Sequence, residues 1–88
     1  MLPLPPEGTP LYNHTLRALE QWLRQLGAEQ EGAHAVEWAL RHGGWSARIT
    51  LETEDLVVVW QGEGGERQRR FAYGLTRADV EAAILAGP

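Results

Sequence analysis

The fold class predicted for this chain is a two-layer α+β sandwich: helix, an antiparallel meander of three or four strands, helix, with both helices on one sheet face. Three observations predict it. Leu56-Val57-Val58-Val59-Trp60 is an uninterrupted apolar run with β-branched residues at its centre, bounded by Glu54-Asp55 and Gly62. Such a run reads as a strand buried on both faces, because a half-exposed strand alternates polar and apolar side chains. Apolar residues recur at helical spacing near each end of the chain, and the segments around the central run alternate with a period of two. Two amphipathic helices and one small sheet share a single core when both helices cover the same face.

Size and charge narrow the classes of function. A chain of 88 residues forms one domain that buries about 60% of the surface exposed in its unfolded state. An enclosed substrate cavity competes with the core for the same few apolar residues. The absence of cysteine excludes a disulfide framework and thiolate metal sites. All eight basic residues are arginine, yet the net charge is −4. Global acidity opposes non-specific binding to nucleic acid or anionic membranes, which requires a positive surface.

Residues 1–8 read as an extended Pro-rich arm that frays at the surface, and 9–88 as one domain. Pro3-Leu4-Pro5-Pro6 fits a Pro-x-x-Pro ligand pattern. Met1 to Pro6 has neither a basic start nor an apolar core of signal-peptide length. The expectation is a soluble, cytoplasmic protein. Leu16, Leu19, Trp22, Leu23 and Leu26 mark one face of a first helix over residues 14–26, with Asn13 or His14 at the cap and Gly27 as the left-handed stop.

From Ala33 to Arg41, His34, Val36, Trp38 and Leu40 alternate with Ala33, Ala35, Glu37, Ala39 and Arg41. This is the period of a strand, although the alanines and the glutamate leave a helix open. His42-Gly43-Gly44 turns the chain into a strand on which Trp45, Ala47, Ile49 and Leu51 share a face. Thr53-Glu54-Asp55 reverses it into the central run. Gly62 to Glu66 reverses it again into a fourth strand, where Arg67, Arg69, Phe71 and Tyr73 alternate with Gln68, Arg70 and Ala72. Thr76 with Asp79 three residues later approximates a capping box for a last helix from Arg77 to Ala86. Val80, Ile84 and Leu85 form its inner face, and Gly87-Pro88 stops it.

Thr9-Pro10-Leu11-Tyr12-Asn13-His14, Trp22-Leu23 with Gly27, Trp45, Ala47, Leu51-Glu52 and Leu56-Val57-Val58, and the closing Arg70-Phe71, Tyr73-Gly74-Leu75-Thr76-Arg77-Ala78-Asp79-Val80-Glu81, Ile84 and Gly87-Pro88 resemble a small uncharacterised domain family of cyanobacteria and plastids. The resemblance spans nearly the whole chain from Thr9. This chain departs from the family pattern at Thr15, where a proline is common, and at Ala28, where a cysteine is frequent; cysteine chemistry is thereby removed. The resemblance implies the soluble phase of a photosynthetic prokaryote or plastid; the family has no assigned activity, so it implies nothing about catalysis.

Candidate sites are few. His14, His34 and His42 lack cysteine partners and zinc-helix spacing, so neither a metal nor another cofactor is expected. Tyr12-Asn13-His14 places a phenol, an amide and an imidazole together, against the plainer reading of a staple onto the first helix. Glu52, Glu54 and Asp55 crowd an exposed turn, where no carboxylate is desolvated for acid–base work. Ser46, the only serine, lies outside a Gly-x-Ser-x-Gly elbow, and Gly62 to Gly65 leads into a strand and lacks the lysine of a phosphate loop. Arg67, Arg69 and Arg70, joined by Arg77 and flanked by Tyr73, form the feature least explained by folding. Arg67 and Arg69 share a parity that Arg70 does not, so one patch is not assured. Their plain reading is an edge strand charged against aggregation; the functional reading is recognition of an acidic protein or of phosphates. The expected function is a non-catalytic protein-interaction or assembly factor with an acidic protein partner. The alternative is an RNA-binding module, because helix, meander, helix is also the order of double-stranded-RNA-binding domains.

Overall fold

The computed structural model describes residues 4–32 and 36–88. A 3-10 turn (Leu11–Asn13) leads into α1 (Leu16–Gln25). Then come β1 (Glu29–Gln30), β2 (Glu37–His42), β3 (Trp45–Leu51), β4 (Asp55–Gly62), β5 (Gly65–Ala72) and α2 (Arg77–Ala86). The strands form one open antiparallel sheet in the order β1-β2-β3-β4-β5. The α+β class is as expected, but the sheet has five strands where three or four were expected. The added strand, β1, is two residues long and carries no apolar pattern for a sequence reading to find.

Two-residue loops close two of the hairpins, Gly43-Gly44 between His42 and Trp45 and Glu63-Gly64 between Gly62 and Gly65. With these registers, Trp38, Ile49 and Val58 fall in one cross-strand row and Leu40, Ala47 and Trp60 in the next. These side chains, with Leu51, Leu56 and Phe71, join Leu19, Trp22 and Leu23 of α1 and Val80 and Ile84 of α2 in one buried cluster. The Trp60 indole N–H donates to the Ile84 carbonyl (3.2 Å), and its ring meets Phe71 edge-on with centroids 6.5 Å apart. The Arg24 guanidinium lies 5.1 Å from the centre of the Trp38 ring. Thus α1 contacts the β2 side of the sheet and α2 the β4 side.

Several boundaries shift from the sequence expectation for local reasons. Thr15, not Asn13 or His14, caps α1, its hydroxyl accepting from the Ala18 N–H (3.1 Å). His14 instead ends the 3-10 turn, which begins at the carbonyl of Pro10. At the other end Gly27 has φ +99°, and the N–H groups of Gly27 and Ala28 reach back to the Arg24 and Leu23 carbonyls. That pair of bonds is a Schellman stop, and Ala28 and Leu23 are both buried beside it. Thr76 caps α2 as expected, accepting from the Asp79 N–H (3.2 Å).

Leu85, expected on the inner face of α2, is exposed, as is Leu16 at the first residue of α1. Leu16 shares the stripe of Leu19 and Leu23 but stands one turn outside the core layer. β2 begins at Glu37, so the strand expected over 33–41 starts later; Ala33, His34 and Ala35 lie outside the described residues, as does Pro3 of the Pro-x-x-Pro pattern. The fourth strand of the meander, expected from Arg67 to Tyr73, runs from Gly65 to Ala72.

The central run is not enclosed on both faces in the way its composition suggests. Leu56, Val58 and Trp60 enter the core, whereas Val57 and Val59 point to the open face, where Val57 is buried and Val59 half-buried. Cross-strand neighbours on that face, Thr50 and Arg70 beside Val57, replace a second layer.

The described part of the arm expected to fray, residues 4–8, is docked. Leu4 packs against the core cluster. The Arg77 side chain donates to the Pro5 carbonyl (2.9 Å), and the Arg77 and Ala78 N–H groups donate to the carbonyls of Thr9 and Glu7. Two of the free N–H groups at the start of α2 are satisfied in this way by Thr9 and Glu7, while Pro5 holds the Arg77 side chain.

Candidate functional site

The chain enters α1 through a tight knot. The 3-10 turn puts Leu11 into the core and leaves Tyr12 on the surface, 61% exposed. The backbone N–H groups of Leu11 and Tyr12 donate to the carbonyls of Leu75 and Tyr73, and Pro10 bridges to Thr76. The entry to the first helix is thereby bound to the link between β5 and α2. Within the turn the His14 Nδ1 lies 3.0 Å from the Pro10 carbonyl. A carbonyl only accepts, so Nδ1 carries a proton in this bond. His14 is 8% exposed, and its Nε2 is buried without a hydrogen-bond partner.

Beside this knot lies an apolar groove of about 320 Å³ lined by Leu11, Tyr12, His14, Leu16, Leu19, Val36, Leu51, Glu52 and Tyr73. Three large apolar side chains at its walls, Tyr12, Leu16 and Val36, are substantially exposed. Its far wall is held by the Tyr73 hydroxyl, which donates to the Glu52 carbonyl. Burial raises the Tyr73 pKa above its ordinary value, with the Asp55 and Glu52 carboxylates adding to the shift. This phenol is therefore held as a neutral donor.

Tyr12, His14 and Tyr73 come together here although Tyr73 is far along the sequence; Asn13 does not line the groove. Sequence reasoning missed Leu16, Val36, Leu51 and Glu52 as lining residues. Leu16 and Val36 carry the same apolar signal as core positions, and only their place beyond the end of the packed layer distinguishes them.

The arginines divide as their parity suggested. Arg67 pairs across β4 with Trp60 and Arg69 with Val58, on the core side of the sheet, while Arg70 pairs with Val57 on the open side. Arg70 donates to the Asp55 carboxylate (3.2 Å) and lies 3.6 Å from Glu52. Arg69 sits over the Phe71 ring, 4.8 Å from its centre. Arg77 belongs to the arm contact, and its Nε is buried without a partner.

A second concavity of about 320 Å³ lies on the open face, with Ala39, Ser46 and Val59 on its floor and Arg41, Arg48, Gln61 and Gln68 around it. It is mainly polar, and Glu31 stands 3.8 Å from Arg48 at its margin. Among the described residues no group of three His, Cys, Asp or Glu side chains is placed to hold a metal ion, and no helix is long and apolar enough to cross a membrane. His42 stacks on Trp45 with ring centroids 4.8 Å apart.

Comparison with curated proteins and with solved structures finds no match. Residues 26–87 match a protein family, a span that takes in the whole sheet, α2 and the closing motif as far as Gly87 but leaves the Thr9 to His14 motif outside. With its five-stranded sheet and closing helix inside that span, the chain belongs to the family described as Protein of unknown function (DUF3143).

Proposed function

We propose that this chain is a non-catalytic protein-interaction or assembly factor whose apolar groove receives an apolar anchor side chain of a partner protein. The observation that supports it is the convergence of Tyr12, Leu16 and Val36, all exposed, on one groove with a largely apolar lining. Single exposed apolar residues are ordinary on a protein surface; three gathered around one concavity are the pattern of an anchor site. The backbone network through Leu11, Tyr12, Tyr73 and Leu75 holds the groove preformed, so that little ordering is needed on binding. The resemblance noted in the sequence supports a setting for this activity in the soluble phase of a photosynthetic cell.

The RNA-binding alternative has less support. A double-stranded-RNA-binding domain presents a cationic cluster at the start of its second helix. Here that position offers Arg77 alone, already bonded to the Pro5 carbonyl, with Asp79 beside it.

Capture from ribonuclease-treated native lysate, using the tagged wild type and Leu16→Arg in parallel, tests the proposal. Proteins held by the wild type and lost with Leu16→Arg support it. The same proteins on both baits, or a catch consisting of RNA before ribonuclease and nothing after, would refute it. Leu16 is 53% exposed, so the variant is expected to melt as the wild type does and the comparison to read binding alone.

A further inference from the structure

The second surface is the outer edge of β5. Gly65 to Arg70 are all exposed, and among the described residues β5 pairs only with β4. Which backbone groups are free follows from the register. Gly62 and Gly65 flank a two-residue loop and therefore form a hydrogen-bonded pair. By alternation Trp60 with Arg67, Val58 with Arg69 and Leu56 with Phe71 exchange bonds as well. The N–H and C=O groups of Glu66, Gln68 and Arg70 consequently point away from the sheet, and none of them has a backbone partner among the described residues. Six donors and acceptors stand in a row with no proline or bulge to interrupt them.

The side chains along this edge reverse the charge of the molecule. The whole chain carries −4, yet β5 holds Arg67, Arg69 and Arg70 against the single carboxylate of Glu66. Arg70 is engaged by Asp55 and Glu52, and Glu66 accepts from the Gln61 side chain (3.2 Å). Arg67 and Arg69 have no carboxylate within ion-pair distance among the described residues. They share one face of the sheet, two residues apart.

We propose that β5 takes up an acidic extended segment of a partner protein as a sixth, antiparallel strand. Backbone groups of Glu66, Gln68 and Arg70 supply the ladder, and Arg67 and Arg69 select carboxylates at alternate positions of the added strand. Partner residues opposite Arg67 and Arg69 occupy the non-hydrogen-bonded positions, where facing Cα atoms are about 4.5 Å apart and side chains meet most closely. Strand addition of this kind takes affinity from the main chain and specificity from alternate side chains. An edge charged only to repel other strands needs no arginine pair left without a carboxylate on one face with acidic groups elsewhere on the molecule.

The test uses the intact chain with an eight-residue alternating Thr-Glu peptide, an alternating Thr-Lys peptide and a short RNA duplex, followed by amide hydrogen exchange. With the Thr-Glu peptide the amides of Glu66, Gln68 and Arg70 should exchange about tenfold more slowly, and those of Arg67 and Arg69, already bonded to β4, should change little. The Thr-Lys peptide should bind at least about tenfold more weakly. Arg67→Glu with Arg69→Glu should reverse the preference between the peptides. Gln68→Pro removes only an outward-facing donor, so it should melt cooperatively and lose the Thr-Glu peptide. Leu16→Arg, which disables the groove, should bind the peptide as the wild type does, so that this surface and the groove succeed or fail separately. No slowing at Glu66, Gln68 and Arg70, equal binding of both peptides, protection of these amides by self-association of the free protein, or RNA binding through the arginines without protection would each overturn the proposal.

Discussion

The indole N–H of Trp22 in α1 donates to the carboxylate of Glu81 in α2 at 2.8 Å, joining the two helices across a separation of 59 residues. Trp22 is buried and Glu81 partly so. A buried donor that loses its partner bears the full cost of its desolvation, whereas deleting both partners costs less. Glu81→Ala is expected to destabilise the domain by about 1–3 kcal/mol in denaturant unfolding. In a double-mutant cycle with Trp22→Phe, about 0.5–1.5 kcal/mol of that loss should be shared. Strict additivity would show that the bond contributes nothing.

Gly87 allows α2 to end against Trp45. Its φ is +82°, and a Cβ placed on it would lie 2.6 Å from the Trp45 Nε1. Gly87→Ala combines left-handed strain with a clash against a ring already stacked on His42. A loss of roughly 1–3 kcal/mol is expected, with a change in tryptophan emission. Gly43→Ala, where a Cβ meets nothing within 4 Å and φ is not positive, should stay within about 0.5 kcal/mol of the wild type.

The face assignment of β4 is checked by moving one charge by one residue. Val58 is fully buried on the core side, and an aspartate there has no partner. Val58→Asp should abolish cooperative melting, since the expected cost, above about 4 kcal/mol, rivals the whole stability of a small domain. Val59 lies on the open face opposite Arg48. An aspartate at that position gains an opposite charge across the strand, so Val59→Asp should melt cooperatively with a loss below about 1 kcal/mol. Equal damage from the two would mean that both faces are packed.

Tyr73 makes stability fall in alkali. Its pKa is raised from 10.0, first by burial and then by Asp55 and Glu52. The folded state therefore holds the phenolic proton to higher pH than the unfolded state does. Stability from this linkage is complete below pH 10 and is lost as pH rises through the folded pKa. Tyr73→Phe should lower stability at neutral pH by about 0.5–1.5 kcal/mol through loss of the bond to the Glu52 carbonyl. It should also flatten the decline above pH 10. An unchanged alkaline slope would show that the phenol does not report on folding.

Local chemistry made much of the architecture legible. Thr76 and Gly87 bracket α2, Gly27 ends α1, and the alternation around Trp38 and Ile49 marks the faces of β2 and β3, because caps, stops and side-chain parity are properties of a few adjacent residues. The candidate site was legible only in part. Tyr12 and His14 are adjacent in sequence and were singled out together, but Leu16 and Val36 look like core residues in any periodic reading.

What the sequence determined by itself, then, is the class, the order of the helices and most strands, the alternating faces and the separation of Arg67 and Arg69 from Arg70. Tertiary structure alone decided the addition of β1, the docking of Leu4 and Pro5 beside α2, the meeting of Tyr12 with Tyr73 and the exposure of Leu16 and Leu85. The physical reason is one of range. Backbone preference and parity act over a few residues, whereas burial depends on where the packed layer ends and which distant segment arrives to cover it.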